Sequence, residues 1–204
     1  MTPELLIAFV AFAFVTSVTP GPNNTMLLAS GANFGLRRTL PHMLGISLGL
    51  MLLVLAVGLG LGQVFEQVPL LYSLLRYVGA AYLLYLAWKI ANSGAPDSNV
   101  GARGKPFSFL QAAAFQWVNP KAWIMAIGAI TTYTPQDDFV VNVLCIAGLF
   151  ALVNCPTMSV WTVAGSLLRN WLSSPRVLRG FNVGMALLLV ASLYPILADV
   201  KGVL

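Results

Sequence analysis

Lys121 stands near the middle of an apolar segment, in the run Val118-Asn119-Pro120-Lys121-Ala122, and no Asp or Glu falls at its depth. An ammonium near the centre of a bilayer costs at least about 2.5 kcal/mol, so something must offset it. Two readings follow: Lys121 binds a substrate carboxylate and carries a coupling proton, or it bonds to backbone carbonyls and merely holds a helix break open. A second run, Thr19-Pro20-Gly21-Pro22-Asn23-Asn24, carries the same kind of chemistry. Proline removes a donor and frees the carbonyl one turn earlier, and Pro-Gly-Pro does so twice around a flexible glycine. The amides of Asn23 and Asn119 offer donors and an acceptor to a zwitterion, or they cap the half-helices on either side of the breaks. A half-helix starting after Pro20 to Pro22, or after Pro120, presents N–H groups and a positive dipole end to an anion. The expected substrate site is therefore Pro20, Gly21, Pro22, Asn23, Asn24, Asn119, Pro120 and Lys121, with Gln116 and Asn154 lining the same cavity.

These residues need elements that hold them inside a membrane. The chain has 204 residues, 58% hydrophobic and 8% charged, against roughly 25% charged in an average soluble domain. Charge-free runs over 5–36, 39–65, 139–168 and 180–198 are each long enough to contribute a span of about 20 residues. The net charge of +5 does not point to nucleic acid, because the basic residues gather at segment ends. The expected architecture is an all-α polytopic membrane protein, a single transmembrane domain over 1–204 with helices over about 4–34, 41–63, 69–90, 107–133, 139–165 and 178–198. Pro41 marks the start of the second helix, Asn92 to Lys105 is a polar linker, and Asn154-Cys155-Pro156 makes an irregularity in the fifth helix.

Pro20 and Pro120 lie 100 positions apart, each in a break that combines Pro with Asn and each near the middle of its helix. The chain thus divides into three-helix halves, about 1–91 and 107–204. An odd number of spans per half inverts the second copy, the architecture of many secondary transporters, with helices 1 and 4 broken at the midplane. Arg37, Arg38, Lys89, Arg103, Lys105, Arg169, Arg176 and Arg179 fall on one side, whereas Glu4, Glu66, Asp137, Asp138, Asp199 and Lys201 fall on the other. Basic loops stay in the cytoplasm, which puts both termini outside. Trp88, Trp161 and Trp171 read as interfacial anchors, and His42 as a solvated interfacial histidine. Arg76 either snorkels outward or pairs with Glu66, Asp137 or Asp138. Gly45/Gly49 and Gly180/Gly184 give small faces for close helix packing or for a homodimer contact.

Thr19-Pro20-Gly21-Pro22-Asn23, the glycines at 31, 35, 45 and 49, Gly79-Ala80-Ala81-Tyr82-Leu83 running to Trp88-Lys89, and Asn119-Pro120-Lys121-Ala122 together resemble the LysE/RhtB family of amino-acid exporters. The resemblance implies efflux of amino acids or close derivatives across the bacterial cytoplasmic membrane in exchange for protons, with no cofactor and no metal.

Rival functions fit less well. A thiol-disulfide carrier needs cysteines on separate helices, but Cys145 and Cys155 share one and lie about 15 Å apart. A metal exporter needs clustered carboxylate, imidazole or thiolate ligands, and an enzyme needs a nucleophile with its base; neither pattern is present in the sequence. Export of another small solute or ion, or a non-transporting membrane subunit, remains the alternative. With no carboxylate at midplane depth, a neutral amino acid suits the site better than a cationic one.

Overall fold

The computed structural model describes residues 1–61, 67–93, 105–169, 171–172 and 174–194; the side chains of residues 69, 71–73, 75 and 76 lie outside that description. Among the described residues the protein is all helical: α1 Pro3–Val18, α2 Pro22–Phe34, α3 Leu36–Ala56 with a π turn at Val57–Leu61, α4 Pro69–Ala91, α5 Phe109–Gln116, α6 Pro120–Tyr133, α7 Phe139–Leu168 and α8 Pro175–Ala191. The runs Leu36–Leu61 and Phe139–Leu168 are each long and apolar enough to cross a membrane, and α1 with α2, bent by 57° at their junction, makes a third such unit. The molecule is a polytopic membrane protein.

Several boundaries differ from the sequence expectation. Gly35, with φ of +79°, ends α2 and allows α3 to begin at once at Leu36, so Pro41 sits inside α3 and does not start it. Pro156 likewise interrupts nothing: α7 runs through it for 30 residues. Thr157 donates back to the Val153 carbonyl at 2.7 Å on that stretch. Gln111 sits in the first turn of α5, where it completes a capping box with Ser108. Helix α8 begins at Pro175, ahead of the expected 178, because a proline in the first turn is preset for helix. The linker over 94–104, the Arg76 side chain, Glu66, Asp199, Lys201 and the end of the expected sixth helix lie outside the described residues.

Helix α7 is the central element. Its closest approach is to α2, where glycines face each other: a Cβ on Gly31 would overlap the Thr162 carbonyl oxygen, and one on Gly165 would overlap that of Leu28. The Gly45/Gly49 face of α3 meets α5 in the same way, against the Phe109 carbonyl, Ala112 and Ala113. A Cβ on Gly180 or Gly184 would meet nothing within 4 Å, so of the two expected glycine faces only Gly45/Gly49 packs against described residues of the chain. One dry cluster, built on Phe9, Leu53, Ile146 and Phe150 with Phe12 and Tyr133 against it, joins α1, α3, α6 and α7. A second joins α2, α4, α5 and α8 through Met26, Leu86, Phe115 and Leu189.

His42 is fully buried, with neither ring nitrogen hydrogen-bonded among the described residues, and its ring stands edge-on to Phe107 at 5.1 Å. The expected solvated histidine is thus a core residue, because α3 starts a turn and a half earlier than Pro41 suggests and carries position 42 into the packed region. Trp161 also departs from its expected role: Trp88 and Trp171 are exposed, but Trp161 is half-buried and donates to the Val18 carbonyl at 3.2 Å.

Two outcomes test this packing by thermal unfolding in detergent. Gly165→Val forces α2 and α7 apart and should destabilise by roughly 2–3 kcal/mol; an unchanged midpoint contradicts the crossing. His42→Leu replaces a buried unpaired imidazole by an apolar group and should be neutral or stabilising. A marked loss of stability in that variant would show that the imidazole has a polar partner.

Candidate functional site

Helices α2 and α6 begin alike. Each has a proline in its first turn, Pro22 after the extended N-cap Gly21 and Pro120 after the N-cap Asn119. Pro22 and Pro120 thus hold the same position in their helices, as do Asn23 and Lys121 one residue on. The side chains of Asn23 and Lys121 each cross to the end of the helix that precedes the other break. Asn23 and Gln116 exchange two amide hydrogen bonds, Asn23 Nδ2 to Gln116 Oε1 at 2.8 Å and Gln116 Nε2 to Asn23 Oδ1 at 3.1 Å. Lys121 Nζ donates to the Thr19 carbonyl at 2.6 Å, to Thr19 Oγ1 at 2.9 Å and to the Pro20 carbonyl at 3.4 Å. The two breaks are thus cross-braced at one point.

The carbonyls that the first break sets free find donors in turn. Asn24 Nδ2 reaches those of Ser17, Val18 and Thr19 at 3.1, 3.3 and 2.7 Å, and Trp161 reaches that of Val18. At the second break the Trp117 carbonyl accepts from Trp123 Nε1 at 2.9 Å, and Asn119 Oδ1 accepts from the Lys121 N–H at 3.1 Å. Asn24 and Asn119 thus act as caps, the structural one of the two roles open to such amides. Asn154 on α7 ties α1 to α3, donating to Ser17 Oγ at 3.0 Å and accepting from Ser47 Oγ at 2.9 Å.

A pocket lies between the breaks, lined on its polar side by Thr16, Ser17, Gly21, Asn23, Asn24, Gln116, Asn119, Lys121 and Asn154 and on its apolar side by Leu50, Ala122, Met125 and Met158. Seven of the ten residues expected from the sequence line it. Pro20, Pro22 and Pro120 do not; they shape the breaks. Thr16 and Ser17 were detectable as the polar pair in the otherwise apolar stretch 5–18, and Ser47 as the lone hydroxyl in the apolar run after His42 in α3. The methionines had no such signal, since the sequence gives no hint of which apolar face meets the pocket.

Two features of the pocket suit an anion. The N-terminus of α2 has no side-chain cap. Lys121 lies directly against it, since a Cβ on Gly21 would sit 2.9 Å from Lys121 Cδ and 3.2 Å from Nζ. An ammonium and an open helix N-terminus therefore converge. Among the described residues no group of three His, Cys, Asp or Glu comes together.

If the amide pair braces the two halves, Asn23→Ala and Gln116→Ala should be strongly non-additive in unfolding measurements, with a coupling of roughly 1–2 kcal/mol. Simple additivity would mean that the pair does not connect the breaks.

The LysE type translocator profile matches residues 14–192. Over 192 residues the chain is 38% identical to the cysteine/O-acetylserine efflux protein of Salmonella choleraesuis (strain SC-B67), covering 93% of this chain and 96% of that protein. The protein of the same description from Escherichia coli (strain K12) is 35% identical over the same shares. No solved structure matches the chain. With paired helix breaks meeting around a small polar pocket, and with near full-length similarity to efflux proteins, the chain belongs to the LysE type translocator family and is a transporter, not an enzyme.

Proposed function

We propose that this protein exports a small neutral amino acid, of the kind named for its relatives, cysteine or O-acetylserine, from the bacterial cytoplasm in exchange for protons. It does so as six spanning segments arranged as two inverted three-helix repeats, with both termini outside. The observation that carries this reading is the convergence of Lys121 and the uncapped start of α2 at Gly21, beside the Asn23–Gln116 brace between the two breaks.

The substrate carboxylate lies against Lys121 and the N–H groups at the start of α2. Its arrival competes for an ammonium already bound to Thr19 and Pro20, and the 3.4 Å bond to Pro20 is the first to give way. Loss of that bond frees a carbonyl at the break, so substrate binding and the geometry of the break change together. The substrate amine turns to the oxygens of Ser17, Gln116 and Asn154. Lys121 also carries the coupling proton: the neutral amine keeps two N–H donors for the substrate carboxylate, so the proton leaves to the cytoplasm as substrate binds and returns from outside as substrate leaves, and the two move in opposite directions. The repeat reading draws support from the matched starts of α2 and α6. The orientation draws support from the gathering of Arg38, Lys89, Lys105 and Arg169 at one end of the bundle, around Phe34, Gly35 and Phe107.

The test is efflux from preloaded cells, with and without a protonophore. Wild type should release cysteine or O-acetylserine in a protonophore-sensitive manner. Lys121→Met should insert normally, because Asn24 still serves the Thr19 carbonyl, yet lose at least about tenfold in rate. Lys121→Arg should be impaired because guanidinium does not release a proton. Normal efflux by the Met variant would remove Lys121 from the mechanism.

A further inference from the structure

The apolar side of the pocket is drawn from two separate packed clusters. Leu50, Ala122 and Met125 are parts of the cluster around Phe9 and Phe150. Met158 belongs to another, with Leu27, Met43, Ile46 and Ala112. The pocket faces of these residues are therefore backed by close-packed side chains: Leu50, Ala122 and Met158 are each 2% exposed and Met125 is 6% exposed. None can withdraw without disturbing a filled core, which limits the size of the pocket.

Helix spacing places the two methionines next to the groups that hold the substrate's head. Met125 follows Lys121 by four residues on α6, and Met158 follows Asn154 by four on α7, one turn away in each case. A zwitterion whose carboxylate is held at Lys121 and Gly21 has its side chain within reach of the thioethers and Leu50, and among the pocket-lining residues the only charged group it meets is Lys121. Methionine is unbranched and polarizable, so it packs against a thiol or a short ester as readily as against a methyl group.

We infer that Met125 and Met158, with Leu50 and Ala122, form the side-chain subsite that determines specificity, admitting short uncharged side chains up to about the length of an acetylated serine and excluding longer ones because the packed cores behind these residues do not yield. The inference rests on the amino-acid export reading and adds to it which residues set substrate size.

The experiment uses purified full-length protein in liposomes, following efflux of cysteine (kept reduced), O-acetylserine, ethionine and phenylalanine from separate loaded preparations. Met158→Ala and Met125→Ala each enlarge the apolar side and should raise the ethionine-to-cysteine rate ratio by roughly tenfold, the scale on which apolar pockets discriminate size. Ala122→Val narrows the pocket and should lower O-acetylserine efflux relative to cysteine. Met158→Val retains more of the packing and covers the case in which the alanine variant does not insert. Ratios unchanged from wild type in variants that still export would overturn the inference and leave the transport reading standing. Failure of wild type to export any of the four would remove the transport reading and this inference with it.

Discussion

Hydrocarbon offers no hydrogen bonds, so a helix broken in the middle of a membrane must satisfy from within the protein every carbonyl and N–H that the break releases. The break between α1 and α2 meets this demand with side chains from three places: Asn24 from the helix that follows, Trp161 from α7 and Lys121 from α6. The donors are specific to the arrangement. A polar side chain on any other face of those helices would leave carbonyls unpaired, at about 1–3 kcal/mol each. The rest of the structure serves to bring these donors to the break: the glycine-lined crossing of α2 and α7 draws Trp161 inward, and the contact of α3 with α5 sets the height of Gln116.

The same constraint accounts for a small polar pocket there. Groups that satisfy a break in one geometry are polar, buried and close together, which is what a small zwitterion needs from a pocket. The start of α6 is closed by its own Asn119, whereas α2 is left without a side-chain cap beside an ammonium. Two helix starts that each carry a first-turn proline thus differ in chemistry, one capped by a side chain and one open beside a cation. Large dry clusters flank the polar centre, so charge at the site is felt through little screening.

The two breaks and most of the pocket were legible in the sequence because Pro-Gly-Pro-Asn and Asn-Pro-Lys put backbone breakers, amides and a charge together inside apolar segments, where such groups are expensive. Register was harder to read. Pro22, not Pro20, takes the first-turn position that Pro120 takes, which depends on backbone conformation at Gly21. Pro41 and Pro156 misled for the opposite reason: a proline near a helix start, or one inside a well-packed long helix, costs too little to end it. His42 and Trp161 could not be placed because burial depends on which neighbours arrive, and Phe107 and α1 arrive from distant parts of the chain.

On the proposed function, substrate occupies the space between the two breaks. Thr16 lines that space and is half-buried, so a reagent that enters the pocket can reach it. The most direct measurement is the rate at which a small methanethiosulfonate modifies Thr16→Cys, in a background with Cys145 and Cys155 replaced by serine, with O-acetylserine present and absent. Slower modification in the presence of O-acetylserine, in a variant that still exports it, is the predicted result. Export with no change in the modification rate at saturating substrate would put the binding site elsewhere and contradict the account.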